Sequence, residues 1–345
     1  MRSVLLVAAL LALPFAVHAE REELSSQVEA INWLLKVSEA ARHASYQGVV
    51  VYRDSQRMET MHIVHREKDG REQERLTSLN GAPRDIFRED DHVTCILSDG
   101  HSHDSLAGPL PKAQRVFPEM SRETLDEVAP HYQFTDLGRA RVAGHECRGV
   151  AIQPRDGFRY GYVIWADSRT FVPLKVSLTG HRGQVVEEMM FTRAEFPASI
   201  PDQALAIPAG RRGVTPPPEP QAEPVAMSSP PPRWLPRRLP PGFRVTMRSF
   251  KPSPDGRGMV EHVLLSDGLS AVSVFSSRML ASQHEFRGMS SMGGINVYGR
   301  MLGTLHFTVV GEVPSTTVRY IGDALEPEVA GQEAGPGATP ENPAP

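Results

Sequence analysis

The stretch "SYQGVVVYRDSQRMETMHIVHR", residues 45–66, decides how the first half of this chain is read. From Tyr46 onward its apolar residues follow the two-residue period of a strand rather than the period of a helix. Tyr46, Val50 and Tyr52 fall on one face, and Val49 and Val51 on the other. A strand that is apolar on both faces has something covering each side. The same stretch holds His62 and His65 in the spacing H-x-x-H. On a helix that spacing sets both rings on one side, ready for a metal. On a strand, residues three apart face opposite ways. "ETMHIVHR" alternates and is rich in strand formers, so the two rings are expected to be split and unable to share an ion.

Upstream, residues 28–42 read as a helix. Ile31, Leu34, Leu35, Ser38 and Ala41 fall at helical spacing, with only Ser38 breaking the apolar stripe. Farther back, Arg2, the apolar run from Val4 to Val17 and the sequence Val17-His18-Ala19 have the order of a secretory signal peptide. The run is shorter than the ~20 residues of a spanning helix, and cleavage is expected after Ala19. No Cys follows the cut to carry a lipid anchor, so the mature chain is expected to be soluble and exported. Removing residues 1–19 leaves 326 of the 345 residues, with 36 basic against 41 acidic side chains and a net charge of −5. That excludes the basic excess of a nucleic-acid binder. The length calls for two domains.

Downstream, strand follows strand. The candidates are 46–52, 59–66, 72–79, 84–88, 93–97, 132–138, 146–154, 158–167, 172–178 and 185–194, with a short helix at Glu123–Ala129. Asp156-Gly157 marks a hairpin turn, since Gly tolerates the positive φ that tight turns need. The composition then shifts. Residues 208–233 are dense in Pro and form a semi-rigid linker. Strands resume at 243–250, 258–266, 269–276, 294–301 and 305–312. Pro314 opens a helix with Val318, Ile321 and Leu325 on its apolar face. The expected organisation is a signal peptide (1–19), a first domain (20–207), the linker (208–233), a second domain (234–325) and a disordered tail (326–345).

Catalytic and metal signals are weak. "SDGHSHD", Ser98 to Asp104, could turn His101, His103 and Asp104 toward one ion, but no fourth ligand is specified. Gly268-Leu269-Ser270-Ala271-Val272 starts like a nucleophile elbow, lacks the second Gly and leads into a strand. No phosphate loop or dinucleotide fingerprint occurs. The reading is a protein that binds, with no enzyme activity, no cofactor and no metal. Cys95 and Cys147 are the only cysteines. An oxidising compartment allows them to pair, and their apolar surroundings equally suit two buried thiols.

What the strands do carry is an apolar and aromatic load. In "FRYGYVIWAD", Phe158, Tyr160, Tyr162 and Ile164 share one face, and Val163 and Trp165 the other. Tyr46, Val50, Tyr52, Tyr160, Tyr162 and Ile164 are therefore the candidates for the wall of a lipid cavity. The alternative is an ordinary core under the helix at 28–42. Trp234, Leu235, Pro241 and Phe243, which begin the second domain, are candidates for an interdomain or partner contact, against plain packing of its first strand.

The chain resembles the MucB/RseB family of periplasmic regulators of the envelope-stress sigma factor, from about Trp33 to Leu325. The resemblance is carried by "SYQGVVVY" (45–52), "LNGAPRDIFR" (79–88), "RDGFRYGYVIWAD" (155–167) and "FVPLKVSL" (171–178). It continues in "WLPRRLPPGF" (234–243), "SDGLSAVSVF" (266–275) and "VVGEVP" (309–314). It implies an α+β fold: an N-terminal LolA-like unclosed antiparallel β-barrel with helices, then a smaller C-terminal antiparallel sheet with a helix. It also implies a partner, the periplasmic region of a membrane-anchored anti-sigma factor (MucA or RseA), shielded from the site-1 protease. Release is implied on binding lipopolysaccharide or another acylated ligand. The competing reading is a periplasmic lipid or lipoprotein carrier of LolA type. A homo-oligomer is left open.

Overall fold

The structure, a computed structural model, describes residues 13–90, 92–97, 102, 103, 120–207, 234–253, 259–278 and 286–327. The first part of the chain runs α1 (Leu13–His43), β1 (Tyr46–Arg53), β2 (Met58–Lys68), β3 (Arg71–Ser78), β4 (Arg84–Glu89), β5 (His92–Leu97) and β6 (Ser102–His103). It continues with α2 (Arg122–Val128), β7 (Tyr132–Val142), β8 (His145–Pro154), β9 (Gly161–Asp167), β10 (Pro173–Thr179), β11 (Val185–Glu195) and α3 (Asp202–Leu205). All eleven strands form one antiparallel sheet in the order β6-β5-β4-β3-β2-β1-β11-β10-β9-β8-β7. Among the described residues, strands β6 and β7 are the two edges and do not pair with each other, so the barrel is unclosed.

Strand β1 sits mid-sheet. It pairs with β2 on one side and with β11, the last strand, on the other. The register slips between Val49 and Val50, and just before that bulge Gly48 faces the β11 backbone. A Cβ at Gly48 would run into the Arg193 carbonyl, so only glycine lets the two strands approach here.

Helix α1 covers one half of the sheet. Ala30, Trp33, Leu34 and Val37 pack on Phe134, Val150, Ile152, Ile164 and Val176 in one buried cluster. Ser38, the polar break in the stripe, is buried and its hydroxyl accepts a hydrogen bond from the Met120 amide at 3.0 Å. The helix is longer than residues 28–42 and begins upstream of the expected cleavage point after Ala19. No helix among the described residues is long and apolar enough to cross a membrane.

The second part contains β12 (Trp234–Pro236), β13 (Arg244–Pro252), β14 (Met259–Ser266), β15 (Ala271–Arg278), β16 (Gly288–Met292), β17 (Ile295–Leu302), β18 (Leu305–Gly311), α4 (Ser315–Asp323) and β19 (Leu325–Pro327). Six strands form a sheet in the order β13-β14-β15-β18-β17-β16, while β12 and β19 pair separately. One face packs Val263, Leu265, Val272, Val274, Phe307 and Val309 against Val318 and Ile321 of α4. The fold class is α+β, with an unclosed sheet and helices followed by a smaller sheet with a helix, as expected.

Two local expectations fail. Leu325 is not on the helix: α4 ends at Asp323, and Leu325 pairs with Pro236. The strand expected from Phe158 starts only at Gly161, because Asp156 accepts the Phe158 amide at 2.9 Å and holds that segment in a turn.

Candidate binding site

Cross-strand partners in an antiparallel sheet present their side chains on the same face. Tyr52 lies opposite Met189, Met189 opposite Val176, Val176 opposite Ile164 and Ile164 opposite Val150. This chain of pairs puts Tyr52 and Ile164 on the face covered by α1, which is the inner face. Val50, opposite Phe191, joins Tyr46 and Tyr52 in a second buried cluster with Ile63, Leu76, Ile86 and Phe191. Tyr160, Tyr162 and Ile164 belong to the cluster under α1. The six lipid-cavity candidates therefore line two adjoining patches, not one. All six are buried. Burial raises the hydroxyl pKa of Tyr52, Tyr160 and Tyr162, so these phenols stay neutral.

The two histidines of β2 are split. His65 is fully buried and stacks on Tyr46 at 4.4 Å, with its Nδ1 2.9 Å from the Ala44 carbonyl and its Nε2 3.4 Å from Glu72 Oε1. His62 is half-buried. No group of three metal-ligating side chains occurs among the described residues. His101 and Asp104 lie outside those residues, and His103 pairs its backbone with Cys95. Cys95 and Cys147 are both free, buried thiols in the second cluster.

The contacts least legible in the sequence join the two domains. Arg159, in the turn before β9, is fully buried and points its guanidinium at Asp267 in the β14–β15 turn, with Nη1 2.5 Å from Oδ2. The Pro241 carbonyl accepts a second hydrogen bond from Arg159. The rings of Tyr132 and Phe243 lie 5.5 and 5.2 Å from the guanidinium carbon. The Tyr132 hydroxyl donates to Asp267 at 3.3 Å and lies 3.2 Å from Ser270 Oγ. Farther along, Asn296 Nδ2 donates to the Tyr160 hydroxyl at 3.3 Å, and the Gly294 amide donates to Glu187. Thr317 of α4 donates to the Phe158 carbonyl at 2.7 Å, and Phe158 packs on Tyr320 at 4.9 Å. A cavity of about 370 Å³ opens beside this junction between β16 and α4, lined by Ser290, Asn296, Thr316 and Arg319 among others.

Of the second-domain candidates, Pro241 and Phe243 lie at this junction through Arg159. Trp234 belongs instead to the second-domain core: it is 1 % exposed, donates Nε1 to Ser276 Oγ at 2.9 Å and packs edge-on against Phe307. Leu235 continues the same strand, and its side chain lies outside the described ones.

Models of two families match, described as the MucB/RseB N-terminal domain over residues 29–209 and the MucB/RseB C-terminal domain over residues 228–326. The chain belongs to the MucB/RseB family. Among relatives of this family, the sigma factor AlgU regulatory protein MucB of Pseudomonas aeruginosa is 32% identical over 310 residues, covering 88% of this chain and 93% of that protein. The sigma-E factor regulatory protein RseB of Salmonella typhimurium is 27% identical, covering 85% and 89%. The fold is similar to MucB in the Pseudomonas aeruginosa MucA/MucB complex, with a TM-score of 0.67 at 31% identity, covering 88% of this chain and 100% of that one. It is also similar to MucB in complex with MucA(peri), with a TM-score of 0.66, covering 87% and 100%.

Proposed function

We propose that this chain is a periplasmic regulator of an envelope-stress sigma factor. It binds the periplasmic part of a membrane-anchored anti-sigma factor, shields it from site-1 proteolysis, and releases it when an acylated envelope ligand such as lipopolysaccharide binds the first domain. The relatives are named as regulatory proteins, and one is described in complex with MucA(peri), which supports the partner. The observation that carries the reading is the buried junction. A carrier of LolA type needs the first domain alone, whereas here the second domain is fastened to it through Arg159 and Asp267. The aromatic inner face of the first domain, Tyr46, Val50, Tyr52, Tyr160, Tyr162 and Ile164, supports an acylated ligand, because lipid pockets are lined by such side chains.

A ligand shifts the partner's affinity only if it prefers the partner-free arrangement. The test is a titration of the purified protein with the periplasmic segment of the anti-sigma factor, with and without lipopolysaccharide. Protection of that segment from the site-1 protease is followed in parallel. Weaker binding and lost protection in the presence of lipopolysaccharide are expected. An unchanged dissociation constant removes the sensing role and leaves the shield. Deleting residues from Trp234 onward separates the carrier reading, which predicts that ligand transport survives.

A further inference from the structure

The β14–β15 turn of the second domain does more than touch the first. Asp267 uses one carboxylate oxygen to shape the turn, accepting the Leu269 amide at 3.0 Å and the Ser270 amide at 2.7 Å. Its other oxygen binds Arg159 and Tyr132 of the first domain. Between these anchors, Leu269 packs against the apolar cluster under α1, the cluster that contains Tyr132, Tyr160, Tyr162 and Ile164. Gly268 sits at φ 108°, and a Cβ there would lie 3.1 Å from Val128 Cγ1 and 3.4 Å from Thr124 Cγ2. The seat is fitted to a turn without a side chain at that position. A leucine of one domain thus completes the hydrophobic core of the other.

We propose that the turn Asp267–Ser270 is a plug in the end of the first-domain core, so that an acyl chain on the inner face and the docked second domain exclude each other. The proposal rests on the reading of that inner face as a lipid site. An acyl chain entering beside Tyr160 and Tyr162 needs the apolar contacts that Leu269 holds. Its arrival expels the turn, and the buried Arg159–Asp267 pair opens with it. Linkage works equally in reverse: weakening the plug tightens the ligand. The rim pair between Arg244 and Glu127, half exposed on both sides, also crosses the junction, and neither residue is a member of the apolar cluster.

The experiment uses the full chain and a fluorescently labelled hexadecanoic acid as the probe. Affinity is read by fluorescence titration and domain docking by the radius of gyration in small-angle scattering. Leu269→Ala and Asp267→Asn are expected to bind the probe about tenfold more tightly than the wild type, a typical size for coupling between sites. Glu127→Gln should stay within about twofold, because exposed pairs contribute little. Saturating probe should enlarge the wild-type radius of gyration. Leu269→Ala removes only part of a half-buried side chain, so it keeps the test decisive if Asp267→Asn misfolds. Equal affinities in the wild type and Leu269→Ala overturn the plug, as does an unchanged radius at saturation or no binding by any form. If those results come while lipopolysaccharide still releases the anti-sigma segment, the plug falls and the regulator stands. If the segment never binds while the probe linkage holds, the regulator falls and the plug stands.

Discussion

Arg159 and Asp267 form an ion pair across the two domains in which neither side chain has any exposed surface. Two buried charges of opposite sign hold each other in place, and removing Arg159 leaves the buried Asp267 carboxylate with no cation, held only by its turn amides and the Tyr132 hydroxyl. Arg159→Ala should therefore cost about 3–5 kcal/mol. Urea unfolding of the full chain measures it. The double change Arg159→Met with Asp267→Asn should recover part of the loss, since Asn keeps an acceptor for the Leu269 and Ser270 amides and carries no charge to desolvate.

The two cysteines give a chemical readout of burial. Burial pushes the Cys147 thiol up to about 11 and raises that of Cys95 as well. A protonated, buried thiol is a poor nucleophile. An aromatic disulfide reagent near neutral pH should find no reactive thiol in the folded protein and two after denaturation. A disulfide between Cys95 and Cys147 would give none in either state.

His65 and His62 should behave differently on truncation. His65→Ala removes the stack on Tyr46 and leaves the buried Ala44 carbonyl and Glu72 without their ring partner, which should cost about 1–3 kcal/mol. His62→Ala, on the other face of β2, should change stability by less than about 0.5 kcal/mol. Thermal unfolding of the two variants checks the ranking, and equal losses would contradict the assignment of His65 to the core.

Stability should fall in acid through Asp167. Burial pulls its carboxyl pKa upward, but the amides of Thr170 and Arg169, the Thr170 hydroxyl and His145 outweigh this and hold it below the ordinary 3.8. A depressed carboxylate stabilises the fold above its unfolded pKa, and that stability disappears as pH drops through the folded value. The loss is expected below about pH 4. Urea midpoints taken on either side of that pH should converge between the wild type and Asp167→Asn as the pH falls. A constant gap would contradict the linkage.

The period-two reading from Tyr46 to Arg66 was enough to place β1 and β2, and the same reasoning found every strand of the first sheet except β6. Strand β6 is two residues long, and β12 and β19 are three residues each and contain Pro, so none has a period to detect. Strand β16, "GMSSM", lacks β-branched residues. Leu325 fits the helical spacing after Val318 and Ile321, but α4 stops two residues too early for it. Alternation could group Tyr160 with Tyr162 and Ile164. It could not show that Tyr52 shares their face, because that depends on register across two intervening strands. The Arg159–Asp267 pair was out of reach. Its members lie 108 residues apart, and each sits beside a turn signal that reads as solvent-facing. An arginine inside the aromatic run "FRYGYV" was the available hint.

The pairing of β1 with β11 also sets a schedule. A chain made from its N-terminus presents Val50 long before Phe191, its cross-strand partner, exists. Until then the middle of the future sheet is an open edge of valines and tyrosines, the kind of surface that recruits other strands. So long a closure makes the topology slow to assemble. The first domain should lean on a holdase while it is being made, and its vulnerability to aggregation should be concentrated in the interval before β11 arrives.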